Sequence, residues 1–260
     1  MIQKNSAIVE KLRNDELVTC TKLNITDTIT AELAAYAGFD CVWLDMEHVP
    51  VDYREIQNAV LAAKARGAEA IVRTARGAYS NMTRPLEMDA AGIMVPHVMS
   101  KKDAEQVAYY TKFQPIGRRP IDGGNGDGMY CLMGTEDYIK YSNEQKLTII
   151  QIEDIEAYEE LEEIASVPGI DMLFFGPADF AHSLGLIHDM GNEKIVEARK
   201  RVAEVARKHG KFAGTVGSTG NMKELYDMGY RFISMGADVL ALNQYYADIM
   251  KQIKEWKVSE

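Results

Sequence analysis

Several charged side chains in this sequence close apolar runs, where a carboxylate, a guanidinium or an imidazole is out of place unless it does chemistry. Glu153 ends IIQIE and Asp179 follows FFGPA. Two carboxylates held side by side repel and shift each other's pKa values, and a divalent cation between them removes the conflict. Oxygen donors with open positions suit Mg, Mn or Co, with Zn possible. The plain alternative is a pair of solvated acids before two helices. His48, directly after LDME, has the side chain for general acid or base work near neutral pH, or is an ordinary loop histidine. Arg73 closes AIVR and needs a counter-anion, either an acid such as Asp45 or a substrate carboxylate held by two N–H groups. Asp45, Glu47, His97 and Gln151 also close apolar runs.

Those runs define the elements that must position the site. They begin at Leu17, Cys41, Ala70, Gly92, Leu147, Met172, Lys211 and Phe232. Each is almost continuously apolar, the mark of a parallel strand buried on both faces. Amphipathic segments such as YREIQNAVLAAKARG and NEKIVEARKRVAEVARKHG separate them, several with a polar residue before and a glycine after. Alternating β and α throughout predicts an α/β protein, a (β/α)8 TIM barrel, with an open doubly wound sheet as the runner-up. In such a barrel the active site lies at the carboxy-terminal strand ends, where these polar residues fall.

Two segments stand outside the repeat at the start and middle of the chain. SAIVEKLRNDE reads as an amino-terminal helix that could plug one barrel mouth, and Pro115 to Lys146 is a long excursion of the kind that serves as a lid or subunit contact. Its GGNGDG lacks both the preceding strand and the lysine of a phosphate loop, so it reads as a flexible loop. AGTVGSTGN is only a weak phosphate signal. The carboxy-terminal LALNQYYADIMKQIKEWKV predicts a long helix.

The 260 residues, 47% hydrophobic, can bury a full core, and residues 1–260 are expected to form a single barrel domain. A formal net charge of -10 argues against nucleic acid and anionic membrane as partners. No apolar run spans a bilayer and the amino terminus lacks a signal-peptide core, so the expected location is cytoplasmic. Cys20, Cys41 and Cys131 are scattered, without a C-x-x-C pair; Cys20 and Cys41 read as small core residues.

From AGFDCVWLDMEH through IVRTA, AGIMVPHV, FQPIGRR and QIEDIEAYEELEEIASVPGIDMLFFGPADFAHSLG to GYRFISMGADVLAL, the chain resembles the HpcH/HpaI aldolases, class II metal-dependent pyruvate aldolases. The resemblance covers nearly the whole chain in order. It implies a metal on Glu153 and Asp179, with Gln151 and the backbone of Gly176, Pro177, Ala178 and Asp179 positioning a 2-oxo acid. It implies that Arg73 binds and polarises the oxo group, and that His48 with a carboxylate partner moves the proton. The family's aspartate partner of the histidine aligns here with Glu87, with Asp89 or Asp45 as alternatives. The family arginine-glycine pair is replaced by Arg118, Arg119 and Pro120. The resemblance further implies a homo-oligomer, trimer or hexamer, with an exchanged carboxy-terminal helix.

The resulting expectation is a carbon–carbon lyase that joins or separates a 2-oxo acid enolate and an aldehyde, with charge on the oxo oxygen met by a metal and Arg73. No strand end carries a Schiff-base lysine, Lys22 being the only nearby candidate. An oxo-acid decarboxylase or a lyase like those of the isocitrate lyase superfamily would stabilise the same enolate. A barrel that only binds a metabolite is the non-enzyme reading.

Overall fold

The computed structural model describes residues 5–258; residues 1–4 and 259–260, the ends of the expected 1–260 unit, lie outside the described residues. All eight apolar runs become strands: β1 (Val18–Leu23), β2 (Cys41–Asp45), β3 (Glu69–Arg73), β4 (Gly92–Val95), β5 (Leu147–Ile152), β6 (Met172–Phe175), β7 (Phe212–Gly217) and β8 (Phe232–Ala237). They pair in parallel and in sequence order, and β8 closes onto β1, which excludes the open sheet. The helices are α1 (Ala7–Arg13), α2 (Thr28–Tyr36), α3 (Tyr53–Ala65), α4 (Tyr79–Glu87), α5 (Lys101–Thr111), α6 (Thr135–Gln145), α7 (Ile155–Glu159), α8 (Leu161–Ala165), α9 (Pro177–Ser183), α10 (Glu193–Lys208), α11 (Met222–Met228) and α12 (Asp238–Val258).

Local chemistry accounts for the helices that wrap the barrel. In α3, Asp52 and Glu55 form a reciprocal capping box at the start, and Ile56, Ala59, Val60 and Ala63 fall on one face at helical spacing and are buried. That face packs with Val42, Leu44, Ala70 and Val72, the outward residues of β2 and β3. The inward residues of the strands, among them Cys20, Cys41, Trp43, Ile71, Met94, Ile149, Phe174 and Phe232, fill the barrel. Ile8, Val9 and Leu12 of α1 join this inner cluster, so the amino-terminal helix plugs the barrel from the mouth where the strands begin. Ser6 Oγ and the Ile8 N–H both donate to Glu69 Oε2, which ties the plug to the start of β3.

The excursion from Pro115 to Lys146 departs from the sequence reading. It leaves α5 and enters β5, so it lies at the amino-terminal mouth, away from the carboxy-terminal strand ends, and is no lid over them. A fully buried ion pair, Arg119 Nη2 to Asp127 Oδ2 at 2.7 Å, pins it with help from Tyr138 and Ser142, and GGNGDG turns into a single 3-10 turn. At the other end of the chain α12 runs for 21 residues and leaves much of its apolar surface uncovered, including Leu240, Tyr245, Tyr246 and Trp256. Among the described residues no helix is long and apolar enough to cross a membrane.

Candidate active site

Side chains alternate along a strand, so the inward rows that are apolar in the barrel's depth end at its carboxy-terminal mouth in whatever residue comes next on that row. On β2 the row is Cys41, Trp43, Asp45; on β3 it is Ile71, Arg73; on β5 it runs Ile149, Gln151 and on to Glu153. The register sets Asp45 beside Arg73 and Lys22 beside Trp43. Arg73 therefore meets its counter-anion within the fold: Nε donates to Asp45 Oδ1 at 2.9 Å and Nη2 to Oδ2 at 2.6 Å. Lys22 Nζ stands 2.8 Å from the same Oδ2, and both cations lie over the Trp43 ring. Burial alone would raise the Asp45 carboxyl, but Arg73 and Lys22 hold it well below the usual carboxylate range. Asp45 also accepts from the Glu47 and His48 N–H groups, so one carboxylate fixes the guanidinium and the loop after β2.

The second half of the site rests on β5 and β6. Glu153 is buried, 1% exposed, and Gln151 Nε2 donates to its Oε2 at 2.7 Å. The other oxygen, Oε1, accepts from the backbone N–H of His97 at 2.9 Å. Gly176 leaves room for that carboxylate, because a Cβ there would meet Glu153 Oε2 at 2.6 Å. Burial, and then the nearby Asp179 and Glu47 carboxylates against the opposing influence of His97, leave Glu153 pushed up to about 7. The Gln151 side-chain oxygen is buried without a hydrogen-bond donor. A buried carboxylate crowded by further carboxylates, next to an unsatisfied amide oxygen, is a donor set that fits a divalent cation.

A cleft of about 430 Å³ opens over these groups, and Lys22, Trp43, His48, Arg73, Gln151 and the segment Gly176 to Asp179 line it. Asp179 sits in the first turn of α9, whose leading N–H groups have no partner within the helix. His48 is largely exposed, with Nε2 3.5 Å from Glu47 Oε2.

Of the residues singled out in the sequence, the structure gathers His48, Arg73, Asp45, Gln151, Glu153 and Asp179 at one mouth. It does not bring Glu87 to His48. The helix α4 runs back toward the start of β4, so Glu87 in its last turn lies at the opposite mouth, half-buried and raised by that burial, in the field of Arg119, Asp127, Asp122 and Arg84. Asp89 is engaged there by Lys64 and Lys146. The carboxylate beside His48 within this chain is Glu47. Three residues without an assigned role enter the site: Glu47, His97 and Asp154. Asp154 Oδ2 is 3.0 Å from His97 Nδ1, and His97 Nε2 is 3.8 Å from Glu47 Oε1. Strand-end position was the available signal for Glu47 and His97; nothing in the spacing marked Asp154.

Residues 23–244 match the model of the HpcH/HpaI aldolase/citrate lyase family. The chain belongs to that family. Among its relatives, a hydroxypyruvate/pyruvate aldolase from Paraburkholderia phytofirmans is 32% identical over 239 residues, 89% of this chain and 91% of the relative. A 2-dehydro-3,6-dideoxy-6-sulfogluconate aldolase from Pseudomonas putida is 31% identical, over 86% of this chain and 88% of the relative. The crystal structure of an HpcH/HpaI aldolase from Desulfitobacterium hafniense superposes with a TM-score of 0.88 at 28% identity, covering 95% of this chain and 96% of that one. As an HpcH/HpaI family member the chain is a carbon–carbon lyase of the pyruvate-aldolase type.

The ion pair of Asp45 makes a pH-dependent contribution with a defined sign. Its carboxyl titrates below the roughly 3.9 of an unfolded aspartate, so the stabilisation is complete above about pH 4 and is lost as the pH falls from there through the folded value. Asp45→Asn leaves the buried Arg73 and the half-buried Lys22 short of that anion and is expected to cost roughly 3 kcal/mol at pH 7. In urea titrations that difference should shrink steadily below about pH 4; a pH-independent difference would show that Asp45 does not stabilise through charge.

Proposed function

We propose that this lyase holds a pyruvate-like 2-oxo acid in the cleft between Arg73 and the Glu153–Asp179 pair and exchanges a carbon–carbon bond with an aldehyde. The observation that carries the reading is one cleft lined by a cation locked by Asp45 and, opposite, by Asp179 and Gln151, with the buried, crowded Glu153 carboxylate held directly behind Gln151. Glu153 and Asp179 would hold a divalent cation, Mg, Mn or Co by their oxygen donors, which supplies a Lewis acid for the charge that develops on the oxo oxygen.

The chain's own residues do the rest. Asp45 occupies Nε and one edge of Nη2 and Glu47 Oε2 lies 3.0 Å from Nη1, so the guanidinium is set in position before substrate arrives and offers the cleft the N–H donors that these carboxylates leave over. Those donors grip the oxo oxygen, and the Trp43 and Phe174 rings beneath exclude water from one side. The first-turn N–H groups of Ala178 and Asp179 receive the substrate carboxylate. Pro177, which has no N–H, starts that turn and sets its direction. His48 reaches the cleft from its exposed loop and takes the hydroxyl proton of the aldol at Nε2 during cleavage, with Glu47 beside that nitrogen to balance the imidazolium. Asp45 acts through Arg73 as a positioning residue, and Glu87 has no part in the step.

Residues 1–260 are read as one domain, placed in the cytoplasm, that works as a homo-oligomer. The uncovered face of α12, which carries Leu240 into the cleft wall, is the surface that a second copy would cover. The assembly is checked by light scattering on the purified protein, where a mass of three or six chains is expected and the 29.1 kDa of one chain would refute it.

Activity is tested by the exchange of pyruvate methyl protons in heavy water, which isolates the enolate step from the aldehyde. Wild-type protein with Mn should exchange them, while chelation, Asp179→Ala and Glu153→Gln should each slow exchange by about 10²-fold or more. Glu87→Gln should match wild type. Undiminished exchange after exhaustive chelation would overturn the metal reading.

A further inference from the structure

His97 stands where the inward rows of side chains should already have ended, and its backbone explains why it does not follow the strand. With φ of 51° it adopts the left-handed conformation that side-chain-bearing residues rarely take. The turn aims its N–H at Glu153 Oε1 and brings its ring between three carboxylates. Nδ1 lies 3.0 Å from Asp154 Oδ2 and 3.8 Å from Glu153 Oε1. One donor atom from each of His97, Glu153 and Asp154 lies within 4.8 Å of the other two. Ligands about 2.1 Å from one ion keep separations of this order. The opposite ring nitrogen, Nε2, faces Glu47 Oε1 at 3.8 Å, beyond hydrogen-bond distance, so among the described residues no protein group holds that nitrogen closely. Independently, Gln151, itself almost fully buried, holds Glu153 through Nε2 while its Oε1 has no donor.

We propose that His97 and Asp154 extend the cation site of Glu153, giving it one nitrogen and several oxygen donors, so that it takes a borderline transition metal such as Co or Zn in preference to Mg. The inference rests on the reading of Glu153 as a metal ligand and adds the donor that sets selectivity. A purely oxygen site suits Mg, whereas an imidazole nitrogen strengthens binding along the series toward Co and Zn. In this arrangement Glu153 is the shared ligand. Its Oε1 faces the histidine, and its Oε2 faces Gln151 and the Gly176 turn that leads to Asp179. Asp154 follows Glu153 directly at the N-cap of α7 and makes no capping hydrogen bond, which leaves its carboxylate for the ring and the ion.

Calorimetric titration of the metal-free full-length protein with CoCl2 and with MgCl2, together with the visible absorption of the Co form, tests the assignment. Wild type should bind Co at least about tenfold more tightly than Mg. His97→Asn, chosen because asparagine tolerates the left-handed backbone, should weaken Co by about tenfold or more, leave Mg within about twofold, and shift the Co absorption bands. Asp154→Asn, which conserves shape, should move Co in the same direction. Co affinity and spectrum unchanged in both variants would overturn the inference. If Asp179→Ala abolishes binding while those two variants are silent, the Glu153–Asp179 reading stands and His97 is no ligand. If wild type binds neither metal, both fall.

Discussion

A bidentate ion pair sealed inside the barrel mouth, Arg73 on Asp45, is the constraint on which the site depends. Neither group is tolerable there alone, because an isolated charge at that depth costs several kcal/mol or more of desolvation. Together with Lys22 they form a compact unit of two cations on one carboxylate, and Glu47 Oε2 meets the guanidinium from its other side, 3.0 Å from Arg73 Nη1. The same carboxylate accepts from the N–H groups of Glu47 and His48. The substrate grip proposed for Arg73 and the proton transfer proposed for His48 would thereby be referred to one buried point.

The opposite wall is built on the reverse principle. Among the described residues no lysine or arginine pairs with Glu153, which is held by an amide, a backbone N–H and a partly exposed histidine, and burial with neighbouring acids pushes it up to about 7. Gly176 makes this possible, since any side chain at that point would displace the carboxylate. One wall is charge-saturated and rigid and the other is charge-starved. A divalent ion and a 2-oxo acid bound between them would complete both at once.

Much of this was legible before the structure. Buried parallel strands announce themselves as unbroken apolar runs, and the polar residue that ends each run falls on the mouth where barrel enzymes work. Arg73, Gln151, Glu153 and Asp179 were found that way. Direction across the barrel was not legible for residues on helices: Glu87 aligns with an acidic family position, yet α4 carries it to the far mouth, beside Arg119 and Asp127. The excursion from Pro115 was misplaced for the same reason, since it follows a helix and not a strand. His97 and Asp154 depend on a left-handed turn at His97, which a histidine codon position does not signal as a glycine would. Whether Arg73 would find its anion in Asp45 or in a substrate was decided by strand register, which pairs the two residues directly.

Cation and oxo acid are expected to bind cooperatively across these two walls. Oxalate, which has the charge and shape of a pyruvate enolate but cannot react, isolates that coupling. Its affinity is to be measured by calorimetry with and without saturating Mn, in wild type and in Glu153→Gln. Mn should tighten oxalate binding by about tenfold or more in wild type and leave it nearly unchanged in Glu153→Gln, as linkage through a shared ion requires. Equal oxalate affinity in wild type with and without Mn would contradict it.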